Sequence, residues 1–420
     1  MTASCGASAA SAARADLADI FNAGLARVRG RDAVRAYFAA HPPPPSPVHL
    51  VAVGKAASAM AAGAFDALPQ HIERALVITK HGHLDDDLAR RPGVRCIESD
   101  HPVPGAASLE AGAALLDCLG SWARPGNRFL FLLSGGASSL VEAPADGLTP
   151  GGLEHLTRAL LDNGLDIARM NTVRRAVSRI KGGRLAPHLN NCPALNLLIS
   201  DVPGDDPGVI GSGLLTPVRE TFNAADYPPQ VAAALQGVRA VPAPDDAAFA
   251  AIETHIIARL ADARRACLQK AAALGHDAAD PGDFLDGDAA DTARQVCRRL
   301  CEARRSVLVL GGETLMHLPD KPGRGGRNQH LALAAAAAIQ GRDDVFLLAA
   351  GTDGTDGPTD AAGGVVDGGT IARGESAGLS AADCLARADS GAFLEASGDL
   401  IVTGPTGTNV MDLVIGLKLA

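Results

Sequence analysis

The stretch FLFLLSGGASSL (129–140) joins a run of large apolar residues to a glycine–serine turn, after which a helical pattern begins. An apolar run without polar alternation is typical of a strand that is buried on both faces, as in parallel sheets. The same order recurs along the chain. The other runs are VHLVAVG (48–54), ALVITK (75–80), VRCIESD (94–100), LNLLISD (195–201), SVLVLGG (306–312), VFLLAAGTDG (345–354) and LIVTGPTG (400–407). Strands that alternate with helices predict an α/β fold with mostly parallel sheets.

The length of 420 residues is enough for two domains. Prolines cluster and periodicity weakens at YPPQVAAALQGVRAVPAPDDAAF (227–249), so we predict a boundary there. The predicted divisions are a flexible N-terminus (1–14), a Rossmann-like N-terminal α/β domain (15–240) and a smaller C-terminal α/β domain (241–420). The first helix is expected to bury one apolar face. Its residues are Leu17, Ile20, Phe21, Leu25 and Val28.

Composition and charge exclude several classes of partner. Aromatic residues make up 3% of the chain and the formal net charge is −9, so neither base stacking nor attraction to a polyanion supports nucleic-acid binding. No apolar run is long enough to span a membrane. The N-terminus lacks the basic start and leucine-rich core of a secretory signal, and the eight cysteines form no CxxC pair. We expect a cytoplasmic protein with reduced thiols that acts on small molecules, as a monomer or a homodimer.

Glycine, lysine and serine residues follow two of the predicted strands. In open α/β sheets, ligands bind beyond the carboxyl ends of the strands. Gly54 and Lys55 precede a helix, where backbone amides and an ammonium group favour an anion. The glycine–serine turn in FLFLLSGGASSL (129–140) suits a phosphate or carboxylate. Its candidate residues are Ser134, Gly135, Gly136, Ser138 and Ser139. A glycine turn with a solvated lysine, and a tight turn with an N-cap serine, are the structural alternatives.

Three further charged residues are candidates. Lys181 flanks a pair of glycines in NTVRRAVSRIKGGRLA (171–186) and is a possible anion ligand, although most basic residues here suit a solvated helix face. Asp201 ends a strand, where one carboxylate is enough to hold Mg²⁺ together with phosphate oxygens and water. Asp356, in GTDGTDGPTDAAG (351–363), is a second candidate metal ligand, and Asp-Gly turns explain the same residues equally well.

The loop GGETLMHLPDKPGRGGRNQH (311–330) combines glycines with basic residues between a strand and a helix. Such a loop either turns a corner or holds an anion. Arg327 is the preferred candidate, because a guanidinium binds carboxylate or phosphate through two parallel hydrogen bonds. Glu313 is expected to orient Arg327 or a ligand hydroxyl, and Asn328 is grouped with the ligand-binding residues. Arg324 is expected to be solvated.

The chain resembles the class II glycerate 2-kinases in the order of its motifs. These motifs are GKAASAM, LLSGGASSL, NTVRRAVSRIKGGRLA, SDVPGDDPGVIGSG, GGETLM, GRGGRNQ, AAGTDGTDGPTDAAGG and TGPTGTNVMDL. That family combines a DUF4147-type N-terminal region with a MOFRL C-terminal domain, here at about 305–415. Its members are often called hydroxypyruvate reductases. The resemblance covers nearly the whole chain after about residue 14.

The resemblance implies ATP-dependent phosphorylation of D-glycerate to 2-phosphoglycerate, with Mg²⁺ or another divalent cation, in a cleft between two α/β domains. It also implies that Lys55 and Arg327 form the catalytic pair. The chain departs from the family at His330, where an acidic residue is usual. It departs again at GSGLLTPVRET (211–221), in place of an SGPT turn, and at IIARLAD (256–262), in place of a GSN-like turn.

Two other functions compete with the kinase hypothesis. A hydroxypyruvate reductase needs a dinucleotide site, but no GxGxxG motif follows any predicted strand. A non-catalytic binder of a sugar acid or sugar phosphate explains the anion-binding loops. It does not explain a lysine, an arginine and several aspartates at separate strand ends.

Overall fold

The computed structural model describes residues 2–45, 47–163, 167–218, 226–235, 240–303 and 306–419. The chain divides into two compact units. We call Gly30–Ile257 the continuous unit, and Met1–Arg29 together with Ala258–Ala420 the discontinuous unit. No helix within the described ranges combines the length and apolarity needed to cross a bilayer.

The predicted alternation of strands and helices holds from Val48 to Leu133, and consecutive helices or strands occur elsewhere in the chain. The helices are α1 (Thr2–Val28), α2 (Gly30–Ala40), α3 (Ala57–Ala67), α4 (Asp86–Ala89), α5 (Ala106–Trp122), α6 (Ala137–Leu140), α7 (Pro150–Asp162), α8 (Ile167–Ala176), α9 (Pro229–Ala234), α10 (Leu260–Ala273), α11 (Ala289–Glu302), α12 (Arg327–Ala338), α13 (Thr370–Ser376), α14 (Ala381–Ala386) and α15 (Ser390–Ser397). The strands are β1 (Val48–Val53), β2 (Ile72–Lys80), β3 (Val94–Ser99), β4 (Arg128–Leu133), β5 (Ala194–Ile199), β6 (Ile252–Ala258), β7 (Ala278–Ala279), β8 (Phe284–Leu285), β9 (Ser306–Gly312), β10 (Val345–Gly351), β11 (Gly363–Asp367), β12 (Leu400–Ile401) and β13 (Asp412–Lys418).

The sheet of the continuous unit has the strand order β3-β2-β1-β4-β5-β6. The pairs β3–β2, β2–β1, β1–β4 and β4–β5 are parallel. All six residues of β1 are buried, as expected for a strand covered on both faces. The chain order reverses between β1 and β4, and this is the switch point at which a doubly wound sheet opens a crevice for ligands. The carboxyl ends of these two strands lie side by side, since Val53 pairs with Leu133.

The sheet of the discontinuous unit is mixed. Its order is β12-β11-β10-β13-β9-β7, with β8 also paired to β9. The last strand, β13, lies antiparallel between β9 and β10, which are therefore parallel to each other. The α/β prediction is confirmed, but mostly parallel pairing holds only for the continuous unit. A strand that is buried on both faces reads the same in either direction, so the sequence pattern does not encode its orientation.

Most predicted apolar runs form strands, while three longer strands were missed. The run at 400–407 contributes only the short β12, Leu400–Ile401. The missed strands are β6, β11 and β13. The first two carry polar residues or glycines that weaken the apolar signal, and β13 follows a glycine–threonine turn without a break.

The N-terminal helix α1 belongs to the discontinuous unit. Its predicted apolar face is buried, and a Cβ on Gly24 would lie only 2.6 Å from Cys267 Sγ of α10, so the two helices pack closely. Arg14 donates to Asp367 at 2.6 Å and to Asp399 at 2.8 Å. The helix starts at Thr2, within the residues predicted to be flexible. The two compact units divide after Arg29 and after Ile257, whereas the sequence predicted divisions after residues 14 and 240.

The cysteines whose side chains are described are free thiols, as predicted for a reduced protein. Burial raises the pKa of Cys267 to about 12. Burial also raises the pKa of Cys297 to about 12. Because the thiolate is the reactive form, these two are inert packing residues. Cys5 lies outside the described side chains.

His49 is an unusual residue of the core. It is 2% exposed and stacks on Trp122, with ring centroids 5.2 Å apart. Neither ring nitrogen has a hydrogen-bond partner among the described residues. Burial lowers the pKa of His49 below its ordinary value of 6.5. The folded state therefore keeps the ring neutral where the unfolded chain takes up a proton, so stability falls as the pH drops below about 6.5.

We expect His49→Phe to remove this acid sensitivity. The substitution keeps an aromatic ring of similar size and leaves no unpaired buried nitrogen. The variant should be at least as stable as the parent protein at pH 7.5 and clearly more stable at pH 5. Urea unfolding at both pH values measures the difference, and His155→Gln, at an exposed position, is the control. An equal loss of stability in parent and variant between the two pH values would contradict the assignment.

Candidate active site

The turn after β1 is fixed against the turn after β4. The backbone N–H of Lys55 donates to the carbonyl of Gly135 at 2.9 Å. Gly54 has a φ of +136°, and a Cβ there would overlap Ser134, so only glycine fits. The two predicted turns therefore form one structure at the switch point of the sheet. Lys55 is half-buried within it.

The serines of the second turn have separate roles. Ser134 is fully buried, and its hydroxyl accepts from the backbone N–H of Ala56 at 3.0 Å. It thereby satisfies one of the first amides of α3, whose own N-cap residue offers no side-chain acceptor. The hydroxyl of Ser139 donates to the carbonyl of Pro102 at 2.7 Å. These contacts favour the turn-and-cap alternative for Ser134 and Ser139. Ser138 is half-buried and contacts Ser212 at 2.8 Å between hydroxyl oxygens.

His101 joins this cluster, and the sequence reasoning missed it. A Cβ on Gly136, which has a φ of +83°, would lie 3.0 Å from His101 Cδ2 and 3.2 Å from Lys55 Cγ. The imidazole and the lysine stem therefore converge on the same glycine. His101 follows β3 by two positions in ESDHPVP (98–104), so its place beyond a strand end was the available signal.

Lys181 lies in the interior of the continuous unit. The side chain is fully buried and forms an ion pair with Glu142, which is buried as well. Ser178 donates its hydroxyl to Glu142 at 2.7 Å. Burial lowers the pKa of Lys181, and the charge of Glu142 acts in the opposite direction. These contacts give Lys181 a structural role, in contrast to the predicted ligand-binding role.

Asp201 is half-buried just beyond β5. Among the residues that the structure describes, no group of three or more His, Cys, Asp or Glu side chains is arranged to hold a metal ion. A lone carboxylate fits Mg²⁺ only where phosphate oxygens and water complete the shell. Asp201 is compatible with that arrangement.

The second cluster lies in the discontinuous unit, at the end of the sheet where β9 finishes and β13 begins. Arg327 is the first residue of α12, Glu313 follows β9, and Asp412 begins β13. Arg327 donates from Nε to Asp412 Oδ2 at 2.6 Å and from Nη2 to Asp412 Oδ1 at 3.2 Å. Its Nη1 lies 2.6 Å from Glu313 Oε1. The prediction that Glu313 orients Arg327 agrees with this contact, and Asp412 is an additional partner that the sequence reasoning missed.

The charges of this cluster depend on each other. Burial opposes the charged form of Arg327, but the attraction of Asp412 and Glu313 outweighs it and raises the pKa of the guanidinium above its ordinary value. Burial also raises the pKa of Asp412, and the charge of Arg327 acts against that rise. A buried carboxylate is stable when it is paired with a hydrogen-bonded cation. Asp412 and Arg327 therefore form one electrostatic unit.

Asp356 caps α12, which corrects its prediction as a metal ligand. Its Oδ1 accepts from the backbone N–H of Asn328 at 3.1 Å, and its Oδ2 accepts from that of Gln329 at 2.8 Å. Burial raises its pKa to about 6, although the two backbone hydrogen bonds act in the opposite direction. The Asn328 side chain also donates to Asp356, at 3.3 Å, and Asn328 is buried. Both carboxylate oxygens thus satisfy the first amides of a helix.

His330, which replaces the acid usual in the family, lies one turn into α12. Its Nδ1 is 3.2 Å from the hydroxyl of Ser390, and burial lowers its pKa. The neutral ring therefore adds no charge to the cluster around Arg327. Arg324 is exposed and forms an ion pair with Glu395, as expected of a solvated residue.

A glycine–lysine turn at the switch point of a doubly wound sheet is typical of α/β proteins that bind anionic small molecules. Residues 16–251 match the family described as a domain of unknown function, DUF4147, and residues 306–412 match the MOFRL family. The chain belongs to the class II glycerate 2-kinase family, in which these two regions occur together.

Named relatives agree with this assignment. The chain is 37% identical to the D-glycerate 2-kinase of Thermotoga maritima, over 88% of this chain and 90% of that protein. It is 34% identical to the glycerate 2-kinase of Pyrococcus horikoshii, over 88% and 87% of the two chains. A putative hydroxypyruvate reductase of Agrobacterium vitis is 35% identical over 87% of this chain and 97% of its own. The crystal structure of glycerate kinase from Thermotoga maritima superimposes with a TM-score of 0.85 at 34% identity, covering 97% of this chain and all of that one.

A substitution at Lys181 separates the structural role from ligand binding. Lys181→Met leaves the charge of Glu142 buried without its partner, so we expect a loss of about 3–5 kcal/mol in the free energy of unfolding. The double variant Lys181→Met/Glu142→Gln should recover most of the loss, because no charge is left unpaired. Lys321→Met, at an exposed position, is the control, and denaturant unfolding is the measurement. Unchanged stability together with weaker ATP or glycerate binding would restore the ligand-binding role.

Proposed function

We propose that the protein is an ATP-dependent kinase that phosphorylates D-glycerate to 2-phospho-D-glycerate. The observation that carries this proposal is the identity of 37% with a D-glycerate 2-kinase along 88% of the chain. Two features of the structure also support the proposal. They are the turn that carries Lys55, which suits an anion, and the guanidinium of Arg327, which is paired with carboxylates. We also expect the protein to act in the cytoplasm, where thiols stay reduced.

Lys55 is proposed to bind a phosphate oxygen of ATP during transfer. Its turn precedes α3, so the first amides of that helix and the ammonium group favour negative charge at the same place. Phosphoryl transfer spreads charge over the oxygens of the moving group, and catalysis depends on positioning and electrostatic stabilisation. Gly54 lets the first turn approach Ser134, and Gly136 lets the stem of Lys55 approach the second turn, so the two glycines help to place the ammonium group.

Arg327 is proposed to bind the carboxylate of glycerate or the transferred phosphate. Its planar fork can make two parallel hydrogen bonds to either group, which a lysine cannot do. We propose that the clusters around Lys55 and Arg327 serve the same reaction. Mg²⁺ would supply the neutralising charge on the phosphates, and Asp201 is the proposed protein ligand.

Hydroxypyruvate reduction is the alternative suggested by the names of some relatives. The strand order of the continuous unit is that of dinucleotide-binding domains, so the fold does not decide between the two activities. The first turn does bear on the choice. In the fingerprint GxGxxG the second glycine lets the backbone approach the pyrophosphate, and Ala56 stands there in this chain. The turn therefore departs from the dinucleotide-binding fingerprint at this glycine, which favours the kinase.

A coupled assay identifies the product. Purified protein with ATP, Mg²⁺ and D-glycerate should generate phosphoenolpyruvate when enolase alone is added, because enolase accepts only the 2-phosphate. If phosphoglycerate mutase were also required, the product would be 3-phosphoglycerate. Oxidation of NADH by hydroxypyruvate without ATP would favour the reductase. Chelation of Mg²⁺ by EDTA should abolish the release of ADP from ATP by the protein, measured without enolase, and added Mg²⁺ should restore that release.

Arg327→Lys tests the catalytic fork. The variant keeps the positive charge but loses the two parallel hydrogen bonds, so kcat should fall on the order of 10²-fold or more. Arg324→Lys, in the same loop but exposed and paired with Glu395, is the matched control and should retain kcat. A near-normal rate in Arg327→Lys would rule out the role of the fork.

A further inference from the structure

Arg327 already contacts two carboxylates without a ligand. One edge of the guanidinium, Nε with Nη2, binds both oxygens of Asp412. At the other edge, Nη1 contacts Glu313 at 2.6 Å. Two carboxylates face one guanidinium, so the group as a whole carries a negative charge. An anionic substrate that takes the Nη1 side of this arginine has to replace Glu313.

The two carboxylates differ in burial. The side chain of Asp412 is 6% exposed and that of Glu313 is 44% exposed, while Arg327 lies between them at 34%. A buried carboxylate that makes two charge-assisted hydrogen bonds is costly to separate from its partner. An exposed carboxylate with a single contact contributes little to stability. Glu313 is therefore the partner that can move.

The backbone keeps Asp412 in place. As the first residue of β13, it pairs with Gly312 of β9 on one side and with Gly351 of β10 on the other. Glu313, by contrast, is the first residue after β9. Asp412 is held between two strands, and the backbone N–H of Glu313 donates to the carbonyl of Leu285 of β8 at 2.6 Å. The freedom of Glu313 therefore lies in its side chain, which is 44% exposed.

We propose that Asp412 is the positioning residue of Arg327, and that Glu313 occupies the Nη1 edge until an oxygen of the anionic substrate replaces it. The inference rests on the proposed function for the identity of that substrate. Asp412 aligns the fork through its inner edge. The outer edge, formed by Nη1 and the second hydrogen of Nη2, is then presented to a carboxylate or phosphate. Glu313 keeps the guanidinium paired while no substrate is bound.

The first test uses chemical replacement of the arginine. Arg327→Ala removes the guanidinium, and methylguanidinium is then added in solution. We expect it to raise the Tm of Arg327→Ala in a saturable way, because a ligand that binds only the folded state stabilises it. The effect should vanish in Arg327→Ala/Asp412→Asn and persist in Arg327→Ala/Glu313→Gln. Loss of the effect in the Glu313 double variant, or its survival without Asp412, would overturn the assignment of the two carboxylates.

The second test measures substrate binding with Arg327 intact. Titration calorimetry with D-glycerate, and separately with ATP, should show about tenfold tighter binding of one of them to Glu313→Gln, since the competing carboxylate is gone. Asp412→Asn should lower kcat on the order of 10²-fold, and Asp412→Glu should recover part of it. A purely structural ion pair would not produce tighter binding in Glu313→Gln. Unchanged affinity of both ligands in that variant would contradict the exchange.

The two tests separate this inference from the proposed function. The response of Tm to methylguanidinium needs no turnover, so it decides the roles of Asp412 and Glu313 even if ATP and D-glycerate give no product. If the parent protein makes 2-phosphoglycerate but the three Arg327→Ala variants respond equally, the kinase assignment stands and the positioning role fails.

Discussion

Two hydrogen bonds at the carboxyl ends of β1 and β4 determine the geometry of the continuous unit's site. The amide of Lys55 donates to Gly135, and the amide of Ala56 donates to the hydroxyl of Ser134. Because the strand order reverses between β1 and β4, no third strand separates the two turns. Each turn therefore supports the other, and Lys55 is held beside Gly136. Without these two hydrogen bonds, the turns after β1 and β4 would be two independent loops.

In the discontinuous unit, buried carboxylates need partners that stabilise them. Asp356 and Asp412 are both buried, yet they are stabilised in different ways. Asp356 uses backbone amides at the start of α12, whereas Asp412 uses the guanidinium of Arg327. The backbone amides that bind Asp356 are part of α12 and are not available to a ligand. Asp412 instead depends on a side chain that is one-third exposed and can also contact a substrate.

Most of the fold could be read from the sequence, and the partners of the charged residues could not. Seven of the eight apolar runs became strands of substantial length, because burial on both faces leaves an unambiguous pattern. Gly54 and Lys55 were identified by their place after such a run. Lys181 looked equally suitable, but its partner Glu142 is 39 positions away in the chain. Direction of pairing and distant contacts are tertiary properties, which explains why the antiparallel β13 and its Asp412 were missed.

Lys55, the proposed ligand-binding group, differs from the structural Lys181 in its burial and its partners. Both lysines lie beside glycines, Lys55 just after β1 and Lys181 after α8. Lys181 has lost all contact with solvent and is neutralised by Glu142, so a substrate would have to break a buried ion pair to reach it. Lys55 is half-buried on a turn whose backbone favours anions. Arg327 lies between these extremes, because one edge of its guanidinium is paired with the buried Asp412 and its Nη1 contacts the more exposed Glu313. In a protein of net charge −9, this arrangement restricts binding to anions that compete successfully with a carboxylate already in place.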